Sequence, residues 1–384
     1  MAERYDWLII GGGPAGIASA RGYRDAGGEG SVAIITDEHR MPYRRPPLTK
    51  QLLRGEMGEE ELPLEPEEWL RDQRISVICG RAVKLDADQR EVTISGGRAL
   101  EYGDVVLATG AEPTRIPVSG ADHPGVRVIR SLDHVRELIV RLGDDKPVVV
   151  LGSGFIGCEI AASLHRRGHA VTVISDEPEP NAARLGEAVG RQIRGWLADE
   201  GVSVHLGYRV ERIEPGFTVT ADALTVHSPV LVMAGGVAPR VELALSAGIE
   251  LQSGAVPVDA RQRSVKPGLY AAGDVAFAFN ATAGRRLHVE HWGDALGQGE
   301  VAGRNAAGAD AVWDAVPGFW STIGDRVLKY AAWGDGFDDC QFENHGGRAF
   351  TAWYRLEGTI VGVLTHDRDE DYQRGAELVA GGGR

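Results

Sequence analysis

Two glycine-rich hexads, Gly11-Gly12-Gly13-Pro14-Ala15-Gly16 and Gly152-Ser153-Gly154-Phe155-Ile156-Gly157, have the residue types and spacing to do chemistry. In a G-x-G-x-x-G turn the first glycine permits the bend, the second lets backbone approach a pyrophosphate, and the third lets a helix close on its strand. Gly11 and Gly152, Gly13 and Gly154, and Gly16 and Gly157 take these three places. The helix that follows would face the anion with the partial positive charge of its N-terminus. An acidic residue after the second strand of such a unit takes the ribose hydroxyls of the nucleotide. Asp37 lies 21 residues past Gly16, with Glu38 as the adjacent alternative. In the second unit Ser175 stands at the usual acidic position, followed by Asp176, Glu177 and Glu179, with no arginine before Arg184. A 2′-phosphate would meet repulsion there, which favours NADH over NADPH.

These turns need strands before them and helices behind them, and the sequence supplies both. The runs Trp7-Leu8-Ile9-Ile10 and Pro147-Val148-Val149-Val150-Leu151 are continuously apolar, the pattern of parallel strands covered on both faces. Second strands are expected at 31–36 and 170–174. The two units repeat at about 140 residues, a spacing that means duplicated domains and not a solenoid. Residues 41–66 are Pro-rich and charged, 77–102 read as a β-meander, 185–200 as a helix and 230–233 as a strand. Residues 317–384 differ in texture, with aromatic strand-like pieces and a closing helix over 372–379.

At ~100–200 residues per domain, 384 residues predict two or three domains. A net charge of -14 argues against affinity for nucleic acid or anionic membrane surfaces. Three widely spaced cysteines, Cys79, Cys158 and Cys340, suggest neither a disulfide framework nor a zinc site. His288 and His291 stand three apart without a third or fourth ligand, so no metal is expected. No secretion signal and no run of 18 apolar residues is present, and a reducing cytoplasm is the expected location.

Three further segments carry a family resemblance. Val105-Val106-Leu107-Ala108-Thr109-Gly110, Val232-Met233-Ala234-Gly235-Gly236-Val237-Ala238-Pro239 and Leu269-Tyr270-Ala271-Ala272-Gly273-Asp274 resemble the signatures of flavoproteins that bind two dinucleotides. The resemblance implies that Asp274, after Gly273, hydrogen-bonds the ribitol chain of FAD. It also implies that the segments holding Thr109, Gly110 and Gly236 are crossings between the FAD and NAD domains. Pro42-Tyr43-Arg44-Arg45-Pro46-Pro47-Leu48-Thr49-Lys50 resembles the corresponding stretch of NADH-dependent ferredoxin and rubredoxin reductases and of apoptosis-inducing factor, and the likeness covers residues 5 to about 370. Disulfide reductases, NADH peroxidases and CoA-disulfide reductases of the same fold place a redox cysteine here. Residues 41–55 contain none, which disfavours dithiol chemistry.

Carried over residue by residue, the resemblance implies Arg45 and Lys50 as FAD contacts. Lys50 would lie near flavin N5 and pair with Glu159; Val83 and Arg130 match further FAD-contact positions. Val289-Glu290-His291-Trp292 resembles the segment beside the flavin ring, and in Phe319-Trp320-Ser321 the aromatic Trp320 would approach the same ring. Trp292 and Trp320 also suit plain core packing. Thr322 departs from the usual aspartate of that motif. Cys158, beside Glu159, reads as a small helix-packing residue.

The expected architecture is α/β: two three-layer Rossmann-like dinucleotide-binding domains of the glutathione-reductase type plus a small α+β C-terminal domain. The expected segments are 1–110 and 236–315 for FAD, 111–235 for NAD, and 316–384 as an interface domain. The implied activity takes hydride from NADH onto flavin and passes single electrons to a ferredoxin-type iron–sulfur protein, by a monomer or homodimer. Alternatives are an NADH oxidase or quinone reductase like apoptosis-inducing factor, and an NADH-sensing flavoprotein that acts through a charge-transfer complex and a changed oligomeric state.

Overall fold

A computed structural model describes residues 3–214 and 216–382. The chain opens with strand β1 (Glu3–Ile10), helix α1 (Pro14–Asp25) and strand β2 (Val32–Thr36). β2 is buried along its whole length and lies parallel to β1, with Trp7 opposite Val32 and Ile10 opposite Ile35. Two short helices, α2 (Gln51–Arg54) and α3 (Glu67–Asp72), lead to β3 (Ile75–Cys79), β4 (Ala82–Asp86), β5 (Glu91–Ile94) and β6 (Ala99–Leu107). The sheet order is β3-β2-β1-β6-β5-β4. Part of the expected meander is therefore different: β4 to β6 run antiparallel, whereas β3 extends the parallel layer beside β2. The connection from β2, which contains α2 and α3, is long enough for the crossover that a parallel pair requires.

Next come β7 (Ala111–Pro113), β8 (Val126–Arg127), α4 (Leu132–Leu142), β9 (Val148–Leu151), α5 (Phe155–Arg166), β10 (Val171–Ser175), α6 (Ala182–Asp199) and β11 (Ser203–Leu206). A small antiparallel sheet of β12 (Val210–Glu214), β13 (Thr218–Ala221) and β14 (Leu224–His227) precedes β15 (Val230–Met233) and β16 (Val237–Pro239). The second parallel sheet has the order β11-β10-β9-β15-β8. β7 and β16 pair antiparallel, Ala111 opposite Pro239, so the two chain crossings lie side by side.

Helix α7 (Glu242–Ser246) and β17 (Val256–Val258) lead to β18 (Leu269–Ala271), which returns to the first sheet beside β6, Leu269 opposite Val105. β19 (Ala276–Asn280) and β20 (Arg285–His288) follow, then α8 (Trp292–Ala306), packed on α1. The last part is an antiparallel sheet of β21 (Gly318–Ile323), β22 (Arg326–Ala332), β23 (Asp339–Gly346), β24 (Ala349–Leu356) and β25 (Thr359–His366), in the order β21-β22-β25-β24-β23, with α9 (Asp369–Ala380) against it.

This last sheet shares a hydrophobic core with the second parallel unit: Ile193, Trp196 and Leu197 of α6 pack with Ile323, Leu328, Phe350 and Tyr354. Each fully buried side chain of this size contributes ~1.5–3 kcal/mol, so the joint is firm. Arg326, buried, donates to Trp196 O at 3.4 Å and pairs with Asp199 at 3.1 Å and Glu200 at 3.4 Å. Among the described residues no helix is long and apolar enough to cross a membrane.

Candidate active site

Both glycine hexads open into one cavity of about 1050 Å³, near the upper end of ordinary ligand sites and roomy enough for more than one nucleotide. Gly11 has φ +124°, and a Cβ there would lie 2.1 Å from Ala108 O. Gly152 repeats the arrangement in the second unit, with φ +105° and Ala234 O at 2.4 Å from a Cβ. Gly13 and Gly154 face open space instead, where a ligand can approach backbone. Pro14, Ala15, Phe155 and Ile156 line the same wall. Gly16 and Gly157 do the packing: a Cβ on either would lie 2.0 Å or 2.1 Å from the carbonyl oxygen of the first glycine of its hexad. Gly16 accordingly sits behind the cavity wall while Gly157 reaches it.

At the end of β2, Glu38 is committed within the protein. It pairs with Arg45 at 2.8 Å and accepts from the hydroxyl of Tyr43. Burial pushes the Tyr43 phenol up to about 12, so it stays a donor. Asp37 makes only a 3.6 Å contact with Arg240 and keeps an exposed face on the cavity. Arg45 also donates to Arg130 O at 2.7 Å, and Arg130 pairs with Asp274 at 2.7 Å. Burial lowers the pKa of His134, which leaves its Nδ1 free to accept from Arg130 N at 3.2 Å. Thr109, Gly110, Gly236 and Gly273 complete this wall. The exception is Val83, whose side chain is 54% exposed and outside the cavity wall. It stands on the antiparallel edge, where β4 turns that face to solvent.

Lys50 sits between a single 3₁₀ turn, Pro46–Thr49, and α2. Two prolines hold the turn because their rings set φ near −65°. The Lys50 ammonium meets Glu159 of α5 at 2.6 Å, with side chains only 9% and 3% exposed. Glu159 also accepts from Thr49 Oγ1 at 2.7 Å, Ser321 Oγ at 2.8 Å and Thr322 N at 3.3 Å. A buried carboxylate bonded this fully is fixed in place and aims its partner. The supporting roles of Thr49 and Ser321 had no signal in the sequence, since Ser321 is 162 positions from Glu159. Thr322, the departure from the motif, contributes backbone only.

Cys158 donates to Ser153 O at 3.3 Å, and burial with the neighbouring Glu159 pushes its thiol well above the usual range. Iodoacetamide at pH 8 is therefore expected to label the exposed Cys79 and spare Cys158 in the native protein, read by peptide mass spectrometry. Native labelling of Cys158 would contradict the packing role.

Three elements converge on the aromatic side of the cavity. His291 caps α8 and approaches Asp294 at 3.2 Å; the same carboxylate accepts from Gly318 N at 3.2 Å, which ties β21 to α8. Phe319 lies edge-on to Phe155 at 4.7 Å and against His291 at 4.8 Å. Glu290 and Trp292 line the cavity, as does Trp320, which is 47% exposed at its mouth. In the second unit Asp176 and Glu177 line it too, and so do two arginines absent from the sequence expectations, Arg184 and Arg209. Among the described residues no group of three or more His, Cys, Asp or Glu side chains could hold a metal ion.

Residues 5–299 match the family model described as pyridine nucleotide-disulphide oxidoreductase. Human apoptosis-inducing factor 3 is 31% identical over 98% of the chain, which spans 63% of that relative's length. A ferredoxin–NAD(P)(+) reductase of a Sphingomonas species is 31% identical over 98% of the chain and 92% of its own. The ferredoxin reductase of the CYP199A2 system of Rhodopseudomonas palustris superposes with a TM-score of 0.91 at 32% identity, covering 98% of this chain and 94% of that one. The expected pair of Rossmann-like units with an added C-terminal domain is the architecture of that structure.

Proposed function

The chain belongs to the pyridine nucleotide-disulphide oxidoreductase family, and from that membership we propose that it is an FAD-dependent NADH oxidoreductase that delivers single electrons to an iron–sulfur protein. The observation that carries this reading is the buried Lys50–Glu159 pair on the wall of a cavity lined by both glycine hexads. Residues 41–55 hold no cysteine to support dithiol chemistry, and Cys158, beside Glu159, is buried with its thiol held protonated.

The residues suit both nucleotides. Open space at Gly13, the N-terminus of α1, and Asp37 at the end of β2 suit the pyrophosphate and ribose of FAD. Arg45, Arg130 and Asp274 supply charged and polar groups beyond the pyrophosphate. When bound, FAD supplies the chemistry that accepts a hydride and releases electrons one at a time. Lys50 provides a fixed positive charge where negative charge develops, and Glu159 keeps that charge from wandering. The second hexad and Asp176 hold NADH, with Phe155 and Glu159 on the nicotinamide side. Trp292 and Trp320 restrict water at the mouth, where an electron acceptor would approach.

In the proposed partnership a small ferredoxin or rubredoxin is reduced at the Trp320 side. The test mixes purified holoprotein anaerobically with NADH and follows the flavin absorbance, then adds a [2Fe–2S] ferredoxin. Rapid bleaching followed by fast ferredoxin reduction is the expected result. Bleaching with persistent long-wavelength absorbance and slow transfer to every acceptor would replace it with the sensing role. Fast turnover with quinone or oxygen alone would replace it with an oxidase.

A further inference from the structure

Each turnover of the proposed reaction leaves behind a proton that the protein must dispose of. NADH gives up one hydrogen nucleus with two electrons, and the electrons depart singly. One NADH and two oxidised acceptors therefore give one NAD⁺, two reduced acceptors and one proton. A side chain that collects this proton needs a free lone pair on the cavity wall near Lys50. Lys50 and Glu159 do not have one. The ammonium is a donor, and the carboxylate already accepts from Lys50 at 2.6 Å, Thr49 at 2.7 Å, Ser321 at 2.8 Å and Thr322 N at 3.3 Å, which fills its roughly four lone-pair positions. Burial keeps the proton on the Cys158 thiol. His134 stands with Glu38 and Arg240 on another part of the wall, and its Nδ1 already accepts from Arg130 N at 3.2 Å.

His291 meets the requirement. It is the N-cap of α8, lines the cavity and keeps 17% of its side chain exposed. Its Nδ1 lies 3.2 Å from Asp294 Oδ2, and the same oxygen receives the N–H of Gly318 at 3.2 Å. An oxygen that accepts from a backbone amide takes the hydrogen of the histidine contact from Nδ1 as well. The neutral ring then carries its lone pair on Nε2, which has no hydrogen-bond partner among the described residues. Asp294 is buried, so it fixes the orientation of the ring and its tautomer together.

Strand β21 sets this ring close to the lysine pair. Phe319 packs on His291 at 4.8 Å, and Ser321, which holds Glu159, stands two residues further on, on the same face of the strand and about 7 Å along it. The surroundings suit a transient positive charge. Asp294 is the carboxylate in contact, and Glu290, exposed, precedes the ring in the chain and lines the cavity. Apart from the Gly318 amide, β21 turns only Phe319 towards it, and α5 presents Phe155, with the Arg184 guanidinium of α6 beyond, 6.0 Å from the centre of that ring. From α9 the Tyr372 hydroxyl lies beside Gly318, where a Cβ would be 3.1 Å from it, and burial raises the pKa of that phenol. Lys329 of β22 is held by Asp369 at 2.6 Å.

We propose that His291, oriented by Asp294, accepts the proton left when the electrons depart and passes it to solvent. The inference rests on the proposed transfer of hydride and single electrons. As the two electrons leave for the acceptors, the bond that holds the transferred hydrogen breaks and an N–H bond forms at His291 Nε2. That bond then breaks to water, and the ring returns to its starting tautomer. Asp294 stabilises the imidazolium that exists in between without taking the proton itself, so His291 is the proton acceptor and Asp294 a positioning residue.

The test bleaches the holoprotein with NADH anaerobically, mixes it with ferricyanide, which takes one electron and no proton, and follows flavin absorbance together with proton release, read by a pH indicator in weak buffer. For wild type both signals are expected to rise together and to slow in D2O. His291→Gln keeps a hydrogen-bonding side chain that takes up no proton. It is expected to slow this step about 10²-fold more than it slows bleaching by NADH, the low end of what a positioned base contributes. Added imidazole should restore the rate in proportion to its concentration, which a packing defect would not show, and an unchanged melting temperature shows that the variant folds. Nitrogen-15 NMR of the resting holoprotein gives a second readout: a His291 ring protonated on Nδ1 and bare on Nε2 is expected, and the opposite tautomer would overturn the arrangement. Wild-type kinetics in His291→Gln, or the same loss in Glu290→Gln with His291 intact, would overturn the relay. A protein that NADH does not bleach overturns the proposed function and the relay with it. Full bleaching followed by a step that neither D2O nor His291→Gln slows overturns the relay alone.

Discussion

Lys50→Met is expected to slow reduction of the bound flavin by NADH by about 10²- to 10³-fold, the usual cost of removing one preorganised group aimed at developing charge. Stopped-flow absorbance under anaerobic conditions measures it. Methionine approximates the length of the lysine stem, so packing beside Pro46 and Thr49 is retained while the charge is lost. What remains is a Glu159 carboxylate, 3% exposed, still bonded to Thr49, Ser321 and Thr322 N but without its cation. Breaking a buried pair from one side costs roughly 3–5 kcal/mol, so the single variant should also melt several degrees lower. The double variant Lys50→Met with Glu159→Gln removes the stranded charge and should recover most of the lost melting temperature. It should not recover the rate. That split separates a catalytic charge from a structural one; a Lys50→Met protein that is reduced as fast as wild type would remove Lys50 from the chemistry.

Gly11→Ala and Gly152→Ala are expected to separate the two nucleotide sites. Each glycine holds a positive φ that an L side chain rarely adopts, a strain of about 1–3 kcal/mol, and each would drive a Cβ into a backbone carbonyl that cannot swing away. Gly11→Ala displaces the loop over the N-terminus of α1, and the protein should purify without yellow colour or with a flavin content reduced about tenfold or more. Gly152→Ala should stay yellow, because its damage is confined to the turn between β9 and α5, yet its KM for NADH should rise by about 10- to 100-fold. Flavin content by absorbance and steady-state kinetics read the two effects. Equal loss of flavin in both variants would mean that the hexads do not serve separate nucleotides.

The parts legible from the sequence are those that depend on local chemistry. Strands β1 and β9 announce themselves as unbroken apolar runs because each is covered on both faces, and the hexads follow because a bend, an open backbone and a close helix contact each demand glycine. The resemblance of residues 42–50 pointed to Lys50 and Glu159 as partners, and the 2.6 Å contact between them agrees with it. The antiparallel pairing of β4 with β5 and of β5 with β6 was readable from the turn signals of the meander expected over 77–102. The parallel placement of β3 was not, since the choice of neighbour depends on the crossover before it and not on the strand's own residues.

The long-range partnerships were decided only by the tertiary structure. Glu38 and Asp37 are chemically alike in sequence, yet Arg45 and Tyr43 engage the first and leave the second on the cavity. Ser321 reaches Glu159 because the last sheet packs on the helices of the second unit through Trp196 and Arg326. The turn after β11 meets the end of β10 because Gly207 N and Tyr208 N donate to Glu177 O and Ser175 O. Local spacing dictates which turn forms and what it can cradle, because its determinants lie within a few residues. The charge at a given point of the cavity is a sum over segments that meet only on folding, so residues 30 to 160 positions apart set it together.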